Sequence, residues 1–260
     1  MVPPGDLRVG DVRVSTVGVW FRVERRLRRW RAERTATRVA RQAESLYGRF
    51  VAPGDLCFDI GANVGVRSAV LHALGARVVA VEPQHGCAEQ LRERFGSSVE
   101  VVEAAVGAEP GTADLLVPAA HTLATLSPAW ADAVRESGRF AEHRWDNVER
   151  VDVVTLDDLI ARYGRPTFVK IDVEGYELEA LRGLSEPVDV LSLEFDFEFL
   201  ESRLACVDRL TSLGMPRFNF SEGETMGLVF DEWVDAETIS RYLQETPRDV
   251  EFFGDIYASA

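Results

Sequence analysis

Residues 56–65 read Leu-Cys-Phe-Asp-Ile-Gly-Ala-Asn-Val-Gly, a mainly apolar run that passes straight into a glycine turn. A short apolar run closed by glycines reads as a buried strand. Over 66–74 the apolar spacing lengthens to that of a helix. A second strand is predicted over 76–81, closed by Glu82-Pro83, then a helix over 87–95 and a third strand over 99–103. This alternation predicts an α/β, doubly wound, mostly parallel sheet, because each crossover helix returns the chain in the same direction. Such sheets bind ligands beyond the carboxyl ends of their strands, so the turn at 61–65 is the first candidate site.

Further along, the pattern predicts strands over 151–155, 167–173 and 188–195, with helices over 156–163 and from the end of 167–173 to about Leu184. The tail predicts late antiparallel strands at 218–220, 227–230 and 252–257, and a helix at 236–245. Residues 118–148 are rich in small, polar and aromatic side chains with a weak strand pattern, as expected of a lid or substrate loop. Residues 19–50 predict a helix with Trp20, Val23, Leu27 and Trp30 at helical spacing and arginines on the other faces. A basic amphipathic helix of this kind suits an anionic membrane or a partner. The favoured reading is a helix packed on the domain with its arginines solvated or paired. The expected division is an N-terminal helical extension, 1–50, followed by one domain, 51–260.

The 260 residues are 46% hydrophobic, ample for a single large core. Cys57, Cys87 and Cys206 share no metal-like spacing, and an odd, sparse count fits a reduced cytoplasm. The four histidines form no ligand pair, so no metal is expected. No apolar run approaches the ~18 residues of a membrane span, and the start lacks a signal-peptide pattern. The net charge of −14 is uneven: the first 50 residues hold 12 Arg against 5 acids, leaving −21 on the remainder. An acidic body repels phosphates and argues against a nucleic-acid partner.

The turn at 61–65 departs from the dinucleotide GxGxxG pattern, with Asn63 at the central glycine and Asp59 ahead of the turn. An acid there would repel a pyrophosphate but suits a ligand with a cationic amino-acid portion. Glu82 closes the next strand, where an acid is placed to accept both ribose hydroxyls. Acid, glycine turn, second acid and no phosphate cradle point to S-adenosylmethionine.

The segments "GDLCFDIGANVG", "VVAVEP", "EAAVGAEPGTADL", "VTLDDLI" and "FVKIDVEGYELEALRG" occur in that order, and over residues 40–200 the chain resembles FkbM-family methyltransferases. The resemblance implies an S-adenosylmethionine-dependent enzyme, with S-adenosylhomocysteine as product, and many relatives that O-methylate natural products. It implies a Rossmann-like, class I methyltransferase sheet of seven strands, one antiparallel. By motif it places Asp59, Gly61, Asn63 and Gly65 on the methionine and ribose side, Glu82 on the ribose, and Glu103 and Ala105 near the adenine.

"TFVKIDVEGYELEAL", residues 167–181, holds the only lysine of the chain, Lys170, followed at two-residue steps by Asp172 and Glu174. On a strand these project to one side. Methyl transfer demands collinear alignment of nucleophile, methyl and sulfur, and removal of a proton when a hydroxyl attacks. Asp172, Glu174, His121 and His143 are the candidates for base or orienter, and Asp172 also for donor contact. Glu174 could instead favour the dipole of the following helix, and loop histidines are commonly solvated. Glu194 and Asp196 could also face the acceptor. A buried Lys170 must be paired, with Asp59, Asp172 or Glu194 as candidates. A divalent ion on Asp172 and Glu174 lacks an evident third ligand.

The expected activity is methyl transfer to a hydroxyl of a small natural-product or sugar-type metabolite, by a cytoplasmic protein that could be a homo-oligomer. N-methylation and a non-catalytic nucleoside- or partner-binding role are the alternatives.

Overall fold

The computed structural model describes residues 7–9, 12–14, 39–138, 142–196, 199–246 and 253–260. It divides into two compact units, Met1–Gln42 and Ala43–Ala260. In the first, β1 (Leu7–Val9) and β2 (Val12–Val14) pair antiparallel, so the N-terminal segment contains strand as well as the helix expected there. Both triplets alternate apolar, polar, apolar around Gly10-Asp11, a hairpin pattern that the arginine-rich stretch obscures. Of the helix expected over 19–50, residues 19–38 lie outside the described residues and residues 39–47 (α1) are helical. Ala43, Leu46 and Tyr47 are buried, so the second unit begins at Ala43 rather than at 51.

The second unit continues with β3 (Leu56–Ile60), α2 (Val66–Ala73), β4 (Arg77–Val81), α3 (His85–Phe95), β5 (Val99–Val102), β6 (Ala105–Val106) and β7 (Gly111–Val117). Next come α4 (Pro128–Glu136), β8 (Asn147–Val154), α5 (Leu156–Tyr163), β9 (Phe168–Ile171) and α6 (Glu177–Arg182). It closes with β10 (Val190–Asp196), α7 (Leu200–Ser212), β11 (Arg217–Glu222), α8 (Ala236–Glu245) and β12 (Phe253–Ser259). The main sheet has seven strands in the order β11-β12-β10-β9-β3-β4-β5. β12 runs antiparallel to both neighbours, and the other pairings are parallel. β6, β8 and β7 form a separate three-stranded sheet.

The strand order explains where a ligand belongs. From β3 the chain adds β4 and β5 on one side, then crosses to add β9 and β10 on the other. The helices therefore diverge between β3 and β9 and leave a crevice at the carboxyl ends of these two strands. Every residue of β3 and of β9 is buried, as strands covered on both faces must be.

Local sequence sets the helix starts. Thr155 and Asp158 form a reciprocal capping box at α5, and Ser127 and Asp235 cap α4 and α8. Two elements carried weaker signals. β7 buries only Leu115, so its alternation is shallow. The apolar repeat of α7 is interrupted by a buried Arg203. Residues 227–230 do not form a strand, but make an isolated bridge between Ser221 and Leu228. The strand expected at 151–155 starts at Asn147 and lies in the smaller sheet, paired with β7.

Candidate active site

At the end of β3 the chain turns through Gly61 and Gly65, both at φ 79°. A Cβ on Gly61 would stand 1.8 Å from the carbonyl oxygen of Asp172, and one on Gly65 would stand 2.6 Å from Leu91 and Phe95. The glycines are thus required by the close approach of β9 and α3, in addition to the left-handed backbone. Asn63 is also left-handed, φ 49°, a conformation asparagine tolerates. Its N–H donates to Glu82 Oε2 at 2.9 Å and its side-chain amide donates to the carbonyl of His121 at 3.1 Å. Glu82 is 2% exposed and its Oε1 accepts from the backbone and side chain of Gln84. Burial pushes its carboxyl up, and these hydrogen bonds oppose the shift. Asp59 is buried and accepts from Ser68 Oγ at 2.5 Å; here too burial pushes the carboxyl up.

The register of the sheet lays a polar row across this end. Asp59, Lys170, Ser192, Tyr257 and Asn219 pair side by side on β3, β9, β10, β12 and β11, so they share one face. All five are buried. Glu194, Asp255 and Ser221 form the next row, with Asp172 just beyond β9. Lys170 Nζ donates to Asp255 Oδ1 at 2.9 Å and lies 3.2 Å from Asp172 Oδ2. The small Ser192 between the two strands lets the ammonium reach over β10 to Asp255. Of the partners expected for Lys170, Asp172 is one; Asp255 was missed, because it lies at the far end of the chain. Burial lowers the Lys170 pKa, but Asp172 and Asp255 outweigh it and hold the ammonium well above its usual range. Burial would raise Asp172; Lys170 reverses that and keeps it below the ordinary carboxylate range.

Asp172, Glu174 and Glu194 each present a carboxylate oxygen within 4.8 Å of the others. Glu194 therefore supplies the third carboxylate that the motif alone lacked. Its Oε2 is shielded from water and meets no N–H or hydroxyl donor, and its side chain lies within hydrogen-bond reach of Asp172. Burial first, then the charges of Asp172, Glu174 and Asp196, push its carboxyl well above the usual range. Glu174 occupies a left-handed conformation, φ 50°, and its carbonyl accepts from Thr125 Oγ1 at 2.6 Å. It is Glu177 that accepts from the N–H groups of Val173 and Gly175 at the start of α6. Asp196, expected to face an acceptor, instead accepts from Trp130 Nε1 at 3.1 Å and Arg203 Nη2 at 3.0 Å.

Within 118–148, a 3-10 turn at His121–Leu123 and α4 replace a structureless loop. Trp130 is fully buried and packs edge-on against Trp145. A Cβ on Gly175 would fall 2.4 Å from the Trp130 ring. The carbonyl of His121 reaches the donor turn through Asn63 and through Gln84 Nε2, at 2.9 Å, while its side chain is exposed. His143 is half-buried beside Glu142. Glu103 accepts from Arg92 and pairs with His85 at the surface, and Ala105 is buried in β6.

A family model described as the methyltransferase FkbM domain matches residues 59–208, the span that carries every one of these acids except Asp255. The chain belongs to the FkbM methyltransferase family. It is similar to methyltransferase sdnD of Sordaria araneosa, at 30% identity over 154 residues, 49% of this chain and 60% of that protein. The chain thus spans about three fifths of this curated relative's length. Among solved structures it is similar to magnesium protoporphyrin IX methyltransferase (ChlM) from Synechocystis PCC 6803 with bound SAM. There identity is 13%, coverage is 96% of this chain and 86% of that one, and the TM-score is 0.45. It is also similar to a TehB-like SAM-dependent methyltransferase from Corynebacterium glutamicum, at 11% identity, 91% and 97% coverage and a TM-score of 0.44.

The FkbM domain takes its methyl group from S-adenosylmethionine, and the residues present fit that donor. The amides of Gly61 and Ala62 donate to the carbonyl of Val81, that of Asn63 to Glu82 and that of Val64 to Asn63 Oδ1. The turn therefore keeps its N–H groups for the protein and offers no nest for phosphate. What it offers instead are acids, Asp59, Glu82 and Asp172, which suit a cation with a vicinal diol. Glu82 Oε2, which receives a single N–H from Asn63, keeps a lone pair for a hydroxyl.

Proposed function

We propose that this FkbM-family protein is an O-methyltransferase that acts on a hydroxyl of a small metabolite. The observation that carries the reading is the carboxylate cluster of Asp172, Glu174 and Glu194 beside the donor turn. Oxygen chemistry needs a group to receive a proton, and this cluster provides one at the crevice between β3 and β9. On this reading Asp59, Gly61, Asn63, Gly65 and Asp172 hold the methionine and ribose end of the donor, and Glu82 its hydroxyls. Glu103 and Ala105 lie toward the adenine. When bound, the donor supplies a methyl group already activated on a sulfonium.

Asp172, fixed by Lys170, orients the cationic end. The segment carrying His121, Thr125 and Trp130 is anchored to the donor turn and to Glu174, which favours a small acceptor over a macromolecule. The His121 side chain is exposed while its carbonyl is engaged by the donor turn, so His121 serves acceptor contact better than proton transfer. A basic amine would also be attracted to three carboxylates, which makes N-methylation the second reading.

The test is incubation of the protein and labelled S-adenosylmethionine with matched panels of hydroxylated and amine acceptors, sugars and phenols included. Transfer to hydroxyls with a rate that rises with pH supports the proposal. Transfer to amines alone overturns it.

A further inference from the structure

We infer that the side-chain amides of Gln84 and Asn63 receive a ribose hydroxyl oxygen of the donor, and that in this structure the main-chain carbonyl of His121 takes that oxygen's place. The inference rests on the placement of the ribose at Glu82 proposed above, and deepens it.

Glu82 is 2% exposed and Gln84 7%, so the acid assigned to the ribose lies under cover. Part of that cover is the carbonyl of His121, which accepts from Gln84 Nε2 at 2.9 Å and from Asn63 Nδ2 at 3.1 Å. Neighbouring groups fix the orientation of both amides. Asn63 Oδ1 accepts from the Val64 N–H at 2.8 Å, and Gln84 Nε2 also donates to Glu82 Oε1 at 3.1 Å. Each nitrogen is thus turned toward one point beside the Glu82 carboxylate. Two N–H donors and a carboxylate are the set that a buried hydroxyl requires. Its O–H donates to Glu82 Oε2, and the lone pairs of its oxygen accept from the amides. A main-chain carbonyl supplies the acceptor alone, so Glu82 Oε2 gains nothing from His121.

The exchange costs the protein little. His121 and Thr122 are exposed, so a carbonyl turned out of the site finds water. The residues that follow stay fixed. The Leu123 carbonyl accepts from Trp145 Nε1 at 2.8 Å. Thr125 exchanges two backbone hydrogen bonds with Leu116, and its hydroxyl donates to the Glu174 carbonyl at 2.6 Å. The movement is therefore a rotation of the peptide between His121 and Thr122, and the rest of the insertion keeps its anchors. It breaks the hydrogen bond that closes the turn, from the Leu123 N–H to the carbonyl of Ala120, now 3.0 Å.

Amide hydrogen exchange of the whole protein, read by NMR with and without saturating S-adenosylhomocysteine, tests this. The expected result is the reverse of ordinary ligand protection: the Leu123 amide exchanges faster in the complex, by ~10-fold, and the Thr125 amide does not change. The 2′,3′-dideoxy counterpart has no hydroxyl to exchange for the carbonyl, and should leave Leu123 as it is in the free protein. Slower or unchanged exchange at Leu123 with S-adenosylhomocysteine bound overturns the inference and leaves the donor assignment standing. Calorimetric titration of Gln84→Met gives a second readout. Its affinity for S-adenosylhomocysteine should fall about 10-fold, the worth of one hydrogen bond to the ligand, and that for the dideoxy counterpart by less than ~3-fold. Equal losses for the two would mark Gln84 as merely structural and also overturn it. Binding of neither nucleoside to the wild type overturns the donor site itself.

Discussion

Lys170 is 1% exposed, and its ammonium is tolerated because two carboxylates surround it. Removing one member of a buried ionic group leaves the others uncompensated, typically at a cost of about 3–5 kcal/mol. Lys170→Met should therefore destabilise the protein, toward about 3 kcal/mol because Asp172 is partly exposed, as read by urea unfolding at pH 7. The loss should shrink in acid, as Asp172 becomes protonated. Glu194 behaves in the opposite sense. Its carboxyl is held above an unfolded value of about 4.3, so the folded protein binds that proton more tightly. The resulting stabilisation is complete below about pH 4.3 and is lost as pH rises toward the folded value. Glutamine does not titrate. Glu194→Gln should thus melt higher than the wild type at pH 8, with the gap closing near pH 4. A gap that does not change with pH would contradict this.

Trp130 is the buried anchor of the insertion of 118–148, beside the polar ties made by His121 and Thr125. Trp130 on α4 lies in its own small core with Leu123, Ala131 and Val134. Its indole N–H is held by Asp196, which with Glu177 holds the buried Arg203 of α7. Glu177 in turn holds the backbone of 173–175, and Gly175 leaves room for the indole. One network therefore links α4, α6, α7 and β10 to the loop that presents Glu174. Trp130→Phe keeps the ring packing and leaves a buried oxygen of Asp196 with one donor fewer, at a cost of about 1–3 kcal/mol. It should also raise amide hydrogen exchange in 173–176 as well as in α4. Exchange confined to α4 would show that the insertion is independent of the loop.

The molecule as a whole depends on its last strand. β12 lies between β10 and β11 and hydrogen-bonds to both along its length. It also delivers Asp255 to Lys170. A chain ending at residue 246 loses the strand and the counter-charge, and should fail to give a cooperative thermal transition. A chain beginning at Ala43 keeps the core residues Ala43, Leu46 and Tyr47, and should retain one. Circular dichroism melts of the two truncated chains check both outcomes. No helix among the described residues is long and apolar enough to cross a membrane.

Much of this was legible in the chain before folding. The apolar run at 56–60, the glycine turn and the acids at strand ends are local features, set by side-chain period and backbone conformation over a few residues. They were sufficient for the alternating fold and for the positions of Asp59, Glu82 and Asp172 at or just beyond strand ends. The partner of Lys170 was not legible, because Asp255 is 85 positions away and is brought near by the insertion of an antiparallel strand. Asp196 looked like an acceptor-facing acid until Trp130, 66 positions earlier, folded onto it. The glycines looked reserved for a ligand, yet Gly61 yields to the carbonyl of Asp172 and Gly65 to α3. Strand order and register decide these pairings, and neither leaves a local trace. Local periodicity determined which residues stand at the crevice; the sheet's long-range order decided which of them are already satisfied, and brought Glu194 beside Asp172 and Glu174.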